Sequence, residues 1–307
     1  MTAIGENTTG HSVALPGRDG EVIELAWAAE TDTGHRRQHN EDSYVVSPPL
    51  FAVADGMGGH SAGDLASDAV VTRIAEAATG DFAEEDVIER ALRKATKDIT
   101  RVADEAHLGV GTTATGASLR VIDGQPFWSV FNVGDSRVYL AEGGELSQVT
   151  VDHSVVQELV DAGMITAEAA EHHPDSNIIT RAVGFNADAV PDYWLLPLRT
   201  GMRLLLCSDG LSKELDSARI REILCGDGTV AQVAEELVLR ALDAGGRDNV
   251  TVVVIEVVAA PQPEPGAESA NVADDAQADS DEEADEEGDT IPRRPASGAE
   301  HQEEPNT

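Results

Sequence analysis

Short apolar runs rich in Val, Leu and Ile recur at Leu50-Ala54, Ala117-Ile122, Phe127-Val133, Arg137-Ala141, Asp192-Pro197, Arg203-Cys207 and Val250-Val258. Runs of this length bounded by turn residues read as β-strands, and Val22-Ala29 is expected to form the first of the series. Helices are expected at Gly63-Ala78, Glu84-His107, Ser154-Ala162 and Thr229-Ala244. In the second of these, Val87, Ile88, Ala91, Leu92, Ala95, Ile99 and Val102 recur at three-to-four spacing and form one apolar stripe. Many strands with short turns and helices in two blocks point to an α+β arrangement of antiparallel sheets covered by helices, not strict βαβ alternation.

Composition divides the chain. From Pro261 to Thr307 there is no aromatic residue, and 15 acids face only Arg293 and Arg294. Such a segment cannot bury enough apolar surface to offset its chain entropy, so 261–307 is expected to be a disordered acidic tail. Residues 1–20, polar and rich in Gly, Thr and Pro, suggest a flexible leader. The domain is then 21–260, within the range of a single core.

Charge and cysteine usage exclude several classes. The chain carries 57 acidic and 21 basic side chains, a formal net charge of -36, which argues against a nucleic-acid partner. Its 2 cysteines, Cys207 and Cys225, fit a reducing compartment, and a cytoplasmic location is expected. Neither a signal-peptide core nor a bilayer-length apolar stretch is present, since Val250-Ala260 is short and interrupted by Glu256. No membrane association is expected.

Carboxylates sit where apolar runs end. Leu50-Ala54 leads into Asp55-Gly56, Leu204-Ser208 leads into Asp209-Gly210, and Asp248 immediately precedes the strand at Val250. Burying an unpaired carboxylate is costly, so acids at the edge of a core call for hydrogen-bond partners or a cation. Glycine next to the acid lets a backbone carbonyl approach a ligand closely. An oxygen-only donor set suits Mg²⁺ or Mn²⁺, whereas the histidines and cysteines show no zinc spacing. Either Asp-Gly pair alone is equally read as a plain turn.

The remaining short motifs complete a pattern. Thr31-Asp32-Thr33-Gly34-His35-Arg36-Arg37-Gln38-His39-Asn40-Glu41-Asp42 is followed by Asp55-Gly56-Met57-Gly58-Gly59-His60, Gly111-Thr112-Thr113-Ala114-Thr115 and Val133-Gly134-Asp135-Ser136-Arg137. Then come Asp152-His153-Ser154, Asn177-Ile178-Ile179-Thr180-Arg181, Ser208-Asp209-Gly210-Leu211 and Arg247-Asp248-Asn249-Val250. In this order, across residues 31–250, the chain resembles the protein phosphatase 2C family of metal-dependent serine/threonine phosphatases in its bacterial form.

The resemblance implies a four-layer α/β/β/α sandwich of two antiparallel sheets flanked by helices, with a binuclear Mg²⁺ or Mn²⁺ site at one end. It implies that Asp55 bridges both ions, that the Gly56 carbonyl binds one, and that Asp209 and Asp248 complete the other. Glu41 and Asp42 would act through water, and Asp135 would help Asp209 hold a weaker third ion. Arg37 would grip the substrate phosphate, a task that suits a permanently charged guanidinium fork; taken alone, Arg37 reads as a salt bridge to Glu41 or Asp42. The polar stretch Gly163 to Asn177 would be the mobile flap beside the site.

The implied activity is hydrolysis of phosphoserine and phosphothreonine in proteins by a metal-activated water. The implied partners are phosphorylated proteins and the bacterial Ser/Thr kinases that modify them, and the enzyme is expected to be a monomer. The alternative is a catalytically weak pseudophosphatase that binds phosphoproteins. Other chemistries lack their residues. A cysteine phosphatase needs an arginine six positions after the thiolate, where this chain has Lys213 and Ala231, and none of the three lysines follows a glycine as a Walker A loop requires. Met57 stands where many eukaryotic relatives carry a histidine, which leaves His60 or His35 as candidate proton donors to the leaving group. Asp152-His153-Ser154 is expected to start a helix with Asp152 or Ser154 as its N-cap, because residues adjacent in sequence rarely converge as a hydrolytic triad.

Overall fold

A computed structural model of the chain describes residues 1–58, 62–106, 109–171, 173–185 and 190–261, of which 102–106 and 171 by their backbone alone. The expected tail therefore lies, from residue 262 onward, outside the described residues. The first half comprises β1 (Ala3–Ile4), β2 (Thr8–Ala14), β3 (Val22–Asp32), β4 (Asp42–Ser47), β5 (Leu50–Gly58), α1 (Gly63–Ala77), α2 (Glu85–Ala106), β6 (Val110–Thr112) and β7 (Ala114–Ile122). Next come β8 (Gln125–Val133), β9 (Arg137–Glu142), β10 (Glu145–Gln148), α3 (Val155–Asp161), α4 (Ala167–Glu171), β11 (Asp192–Pro197) and β12 (Arg203–Cys207). The last elements are α5 (Asp209–Ser212), α6 (Ser217–Leu224), α7 (Val230–Ala244) and β13 (Val250–Ala259).

The strands form two sheets. One has the order β1-β4-β5-β7-β8-β11 with β6 paired to β5, and the other runs β10-β9-β12-β13-β3-β2. Among the described residues every strand pairing is antiparallel except β1 with β4. The apolar runs are continuous because both faces of most strands are covered. In β3, Ile23, Leu25 and Trp27 point between the sheets while Ala26 and Ala28 pack under α7. In β5, Phe51 and Val53 point inward and Leu50, Ala52 and Ala54 meet α1 and α2. The result is a four-layer α/β/β/α sandwich. Trp27, Phe51 and Trp128 stack edge to face across its centre, with ring centroids 5.1 and 5.9 Å apart.

The expected leader at 1–20 is corrected by the structure, because its residues carry β1 and β2. Pairing with an existing sheet edge needs little apolar surface, and only Val13 of β2 is fully buried. Side chains reinforce the pairing. Trp27 Nε1 donates to the Glu6 carbonyl at 2.9 Å, and Asn7 Oδ1 accepts the Ala29 N–H at 2.8 Å. Among the described residues no helix is long and apolar enough to cross a membrane.

Candidate active site

Register brings the acids to one end of the sandwich. In the first sheet Asp42 pairs directly with Asp55, and the β7 start at Ala114 faces Val133 at the end of β8. In the second, Cys207 lies beside Arg137 and Val252, and Val250 faces Asp32. Asp135 occupies the β8–β9 turn, Asp209 follows β12, and Asp248 precedes β13. Residues far apart in sequence thus share one rim.

A hydrogen-bond lattice ties the two sheets together there. Ser208 Oγ donates to Asp42 Oδ2 at 2.8 Å and accepts the Thr251 N–H at 3.0 Å. The Asn249 side chain accepts the Glu41 N–H at 2.8 Å and donates to the carbonyls of Thr33 and His39 at 2.9 and 3.0 Å. The Asp55 N–H donates to Thr113 Oγ1, while its carbonyl accepts from Thr113 N–H and Thr112 Oγ1, all at 2.9 Å. Thr113 Oγ1 also lies 2.8 Å from Ser136 Oγ, next to Asp135.

Gly56 is required by packing. A Cβ there would stand 2.1 Å from the Gly63 carbonyl oxygen and 2.6 Å from that of Glu41. Both are backbone atoms that cannot swing aside. Gly56→Ala is expected to destabilise the fold by about 1–3 kcal/mol, read as a lower urea midpoint at unchanged m value.

The electrostatics are those of crowded anions. Burial above all, with Asp209 and Asp248 adding to it, pushes the Asp42 carboxyl up to about 7 against the hydrogen bond from Ser208. Burial and then Asp209 do the same to Asp135, also to about 7. Asp55 is raised well above the usual carboxylate range by burial and by Asp42, Asp209, Asp135 and Asp248. Glu41 is raised by burial, with Arg37 opposing and Asp64 adding. Asp42 and Asp209 each keep a buried Oδ1 without a hydrogen-bond partner, and orphaned anionic oxygens of this kind call for a cation.

Two side-chain cations meet this demand in part. Arg37 Nη2 lies 2.7 Å from Asp248 Oδ2, so its partner is Asp248 and not the Glu41 or Asp42 expected of a simple surface pair. Lys213 Nζ is bonded to Asp209 Oδ2. As they stand, no three His, Cys, Asp or Glu among the described residues are arranged to hold an ion. The donor chemistry fits a hard divalent cation: Asp209 keeps its Oδ1 free while Oδ2 holds Lys213, and Asp42 keeps its Oδ1 free.

Other expectations resolve differently. Ser154, not Asp152, caps α3, accepting the Gln157 N–H at 3.3 Å. Asp152 instead forms a forked pair with Arg137, whose Nε and Nη2 approach its oxygens at 3.0 and 2.7 Å. His153 Nδ1 accepts the Gly134 N–H at 3.0 Å and its Nε2 lies 3.0 Å from Asp192 Oδ2, so the three residues do not form a triad. His60 lies outside the described residues. The spacing of motifs did not reveal Asn249 as the central strut, nor Lys213, nor the pair of Arg247 with Glu214 at 2.8 Å that joins the Asp209 and Asp248 loops. Asn249 could have been suspected from its place directly after Asp248, but the other contacts depend on loop geometry.

Several carboxylates pooled at one rim oppose folding rather than aid it, which marks a site kept for cationic counter-charge. The chain belongs to the protein phosphatase 2C family, whose model, described as Protein phosphatase 2C, matches residues 32–246. It is 38% identical over 239 residues to the serine/threonine phosphatase stp of Listeria monocytogenes, covering 74% of this chain and 93% of that one. It is 39% identical over 238 residues to the protein phosphatase PhpP of Streptococcus pneumoniae, covering 74% and 95%. Among solved structures, the Mycobacterium tuberculosis serine/threonine phosphatase PstP/Ppp superposes with a TM-score of 0.71 at 39% identity, covering 76% of this chain and 99% of that one. A PstP catalytic domain in complex with two manganese ions gives a TM-score of 0.69 at 38% identity, covering 77% and 99%. The chain is a protein serine/threonine phosphatase.

Proposed function

We propose that the chain removes phosphate from phosphoserine and phosphothreonine in proteins with two Mn²⁺ or Mg²⁺ ions, opposing a Ser/Thr kinase as a cytoplasmic monomer. Asp55, the Gly56 carbonyl, Asp209 and Asp248 would hold the pair, Glu41 and Asp42 would act through water, and Asp135 with Asp209 would take a weaker third ion. Such ions supply a nucleophilic water at neutral pH and charge neutralisation of the transferring phosphoryl group. The observation that carries this reading is the buried, partnerless Oδ1 of Asp209 among like-charged Asp42, Asp55 and Asp135. It is supported by the two manganese ions of the PstP relative.

The chain's own residues have distinct tasks. Arg37, with 49% of its side chain exposed, is accessible to a phosphate and can exchange Asp248 for phosphate oxygens. Asn249 and Ser208 hold the Glu41–Asp42 corner against Asp248 and Asp209, so that the acids keep their spacing without a ligand.

The test is phosphate release from a phosphothreonine peptide with Mn²⁺, with Mg²⁺ and with EDTA. Turnover is expected with either ion and none above background after chelation. Undiminished turnover in EDTA, with no Mn²⁺ uptake by calorimetry, would sink the reading.

A further inference from the structure

A lysine sits on one oxygen of a carboxylate proposed to hold an ion. Lys213 follows α5, four residues after Asp209, a spacing that lets its side chain fold back over the turn. Its ammonium bonds Asp209 Oδ2 and donates to Asn177 Oδ1 at 2.6 Å. Asp135 and Asp55 lie close enough to act on it electrostatically. The other two lysines of the chain, Lys94 and Lys97, belong to α2.

The backbone that carries Lys213 is fixed at both its N–H and its carbonyl. Its N–H donates to the Asp209 carbonyl at 2.9 Å, and its own carbonyl accepts from Arg247 Nη2 at 3.1 Å. Arg247 is held in turn by Glu214, whose side chain is only 3% exposed. Lys213 is therefore aimed at Asp209 by its surroundings.

We propose that Lys213 is a built-in counter-ion: it neutralises Asp209 until a divalent ion displaces it, and through Asn177 it tethers the segment 173–177, ahead of the backbone pairing of 178–180 with 153–155, to the acidic rim until that exchange occurs. The inference rests on the ion-dependent reading above. An ammonium held on Asp209 Oδ2 repels a divalent ion taken up at the partnerless Oδ1 of the same carboxylate, so the two compete through their charge. Lys213 thus sets the ion concentration at which Asp209 loads, and loading releases the segment.

The experiment compares wild type with Lys213→Met, using Mn²⁺ alone as the probe. Calorimetry is expected to show K213M binding Mn²⁺ about three- to tenfold more tightly, the equivalent of a partly exposed ion pair no longer broken on binding. Hydrogen exchange of residues 173–177 is the second readout, which a loss of charge alone would not move. In wild type it is expected to quicken when Mn²⁺ is added, whereas in K213M it is already fast without the ion and changes little. Lys213→Arg, which keeps the charge, is expected to bind Mn²⁺ as wild type does. Equal Mn²⁺ affinity in wild type and K213M, or exchange in 173–177 that slows or stays constant when Mn²⁺ is added to wild type, overturns this inference alone. If neither protein takes up Mn²⁺, the ion-dependent reading falls and takes this inference with it.

Discussion

Asp55→Asn is expected to lower phosphate release by on the order of 10³-fold while raising the melting temperature of the ion-free protein. The loss follows from removing a carboxylate proposed to hold both ions, since such ions supply several kcal/mol of charge stabilisation and each ~1.4 kcal/mol is tenfold in rate. The gain in stability follows from the same residue's surroundings. Burial pushes the Asp55 carboxyl up first, and Asp42, Asp209, Asp135 and Asp248 add to it. A neutral amide of the same shape removes both contributions. The backbone of Asp55 is pinned independently by Thr112 and Thr113, so the side chain can change without moving the strand. For a domain of this size about 2–4 °C corresponds to 1 kcal/mol, and a rise of at least that amount is expected in EDTA. Saturating Mn²⁺ should reverse the order, because wild type gains binding energy that the variant has lost. A variant that melts below wild type in EDTA, or that retains turnover, contradicts the argument.

This opposition of stability and function also separates what the sequence makes legible from what it does not. The central strands of both sheets could be read from composition, because burial on two faces demands unbroken apolar runs such as Leu50-Ala54, Leu204-Cys207 and Val252-Ile255. The edge strands could not. Thr8–Ala14 and Glu145–Gln148 are largely exposed, and they exist because a neighbouring strand offers open hydrogen bonds. Asp42–Ser47 was hidden because its motif reads as a loop up to the acid itself, and only pairing with Leu50–Asp55 makes it a strand. Helix α6 was missed where eight residues with two arginines give a weak stripe, although Asp216 caps it by accepting the Arg219 N–H at 2.8 Å. In the site, acids placed at strand ends were visible one at a time. Their shared rim depends on the registers of two sheets, and the seats of Arg37 and Lys213 on Asp248 and Asp209 depend on how three loops meet.

The ion-free protein is expected to melt higher at pH 5 than at pH 8, against the usual course of acid destabilisation. Asp42 and Asp135 are pushed to about 7 in the folded chain, and Asp55 and Glu41 are raised as well. In the unfolded chain carboxyls of these types titrate near ~4. Between about 4 and 7 the folded state therefore binds more protons than the unfolded state, and stability must fall as pH rises through that window. Asp192 and Glu214 act in the other sense: both are lowered, against the effect of burial, Asp192 by His153 and Arg181 and Glu214 by Arg247. Their stabilisation is lost only as pH drops below ~4, so it does not oppose the trend between pH 5 and 8. Mn²⁺ should flatten the profile, because an ion at the rim replaces the protons as counter-charge and expels them on binding. Calorimetric titration at pH 6 in two buffers of different ionisation enthalpy should then report proton release with Mn²⁺ uptake. A melting temperature in EDTA that stays level or rises from pH 5 to pH 8 would mean that the acids keep ordinary affinities for protons, and that their crowding is relieved by solvent and by Arg37 and Lys213 without need of an ion.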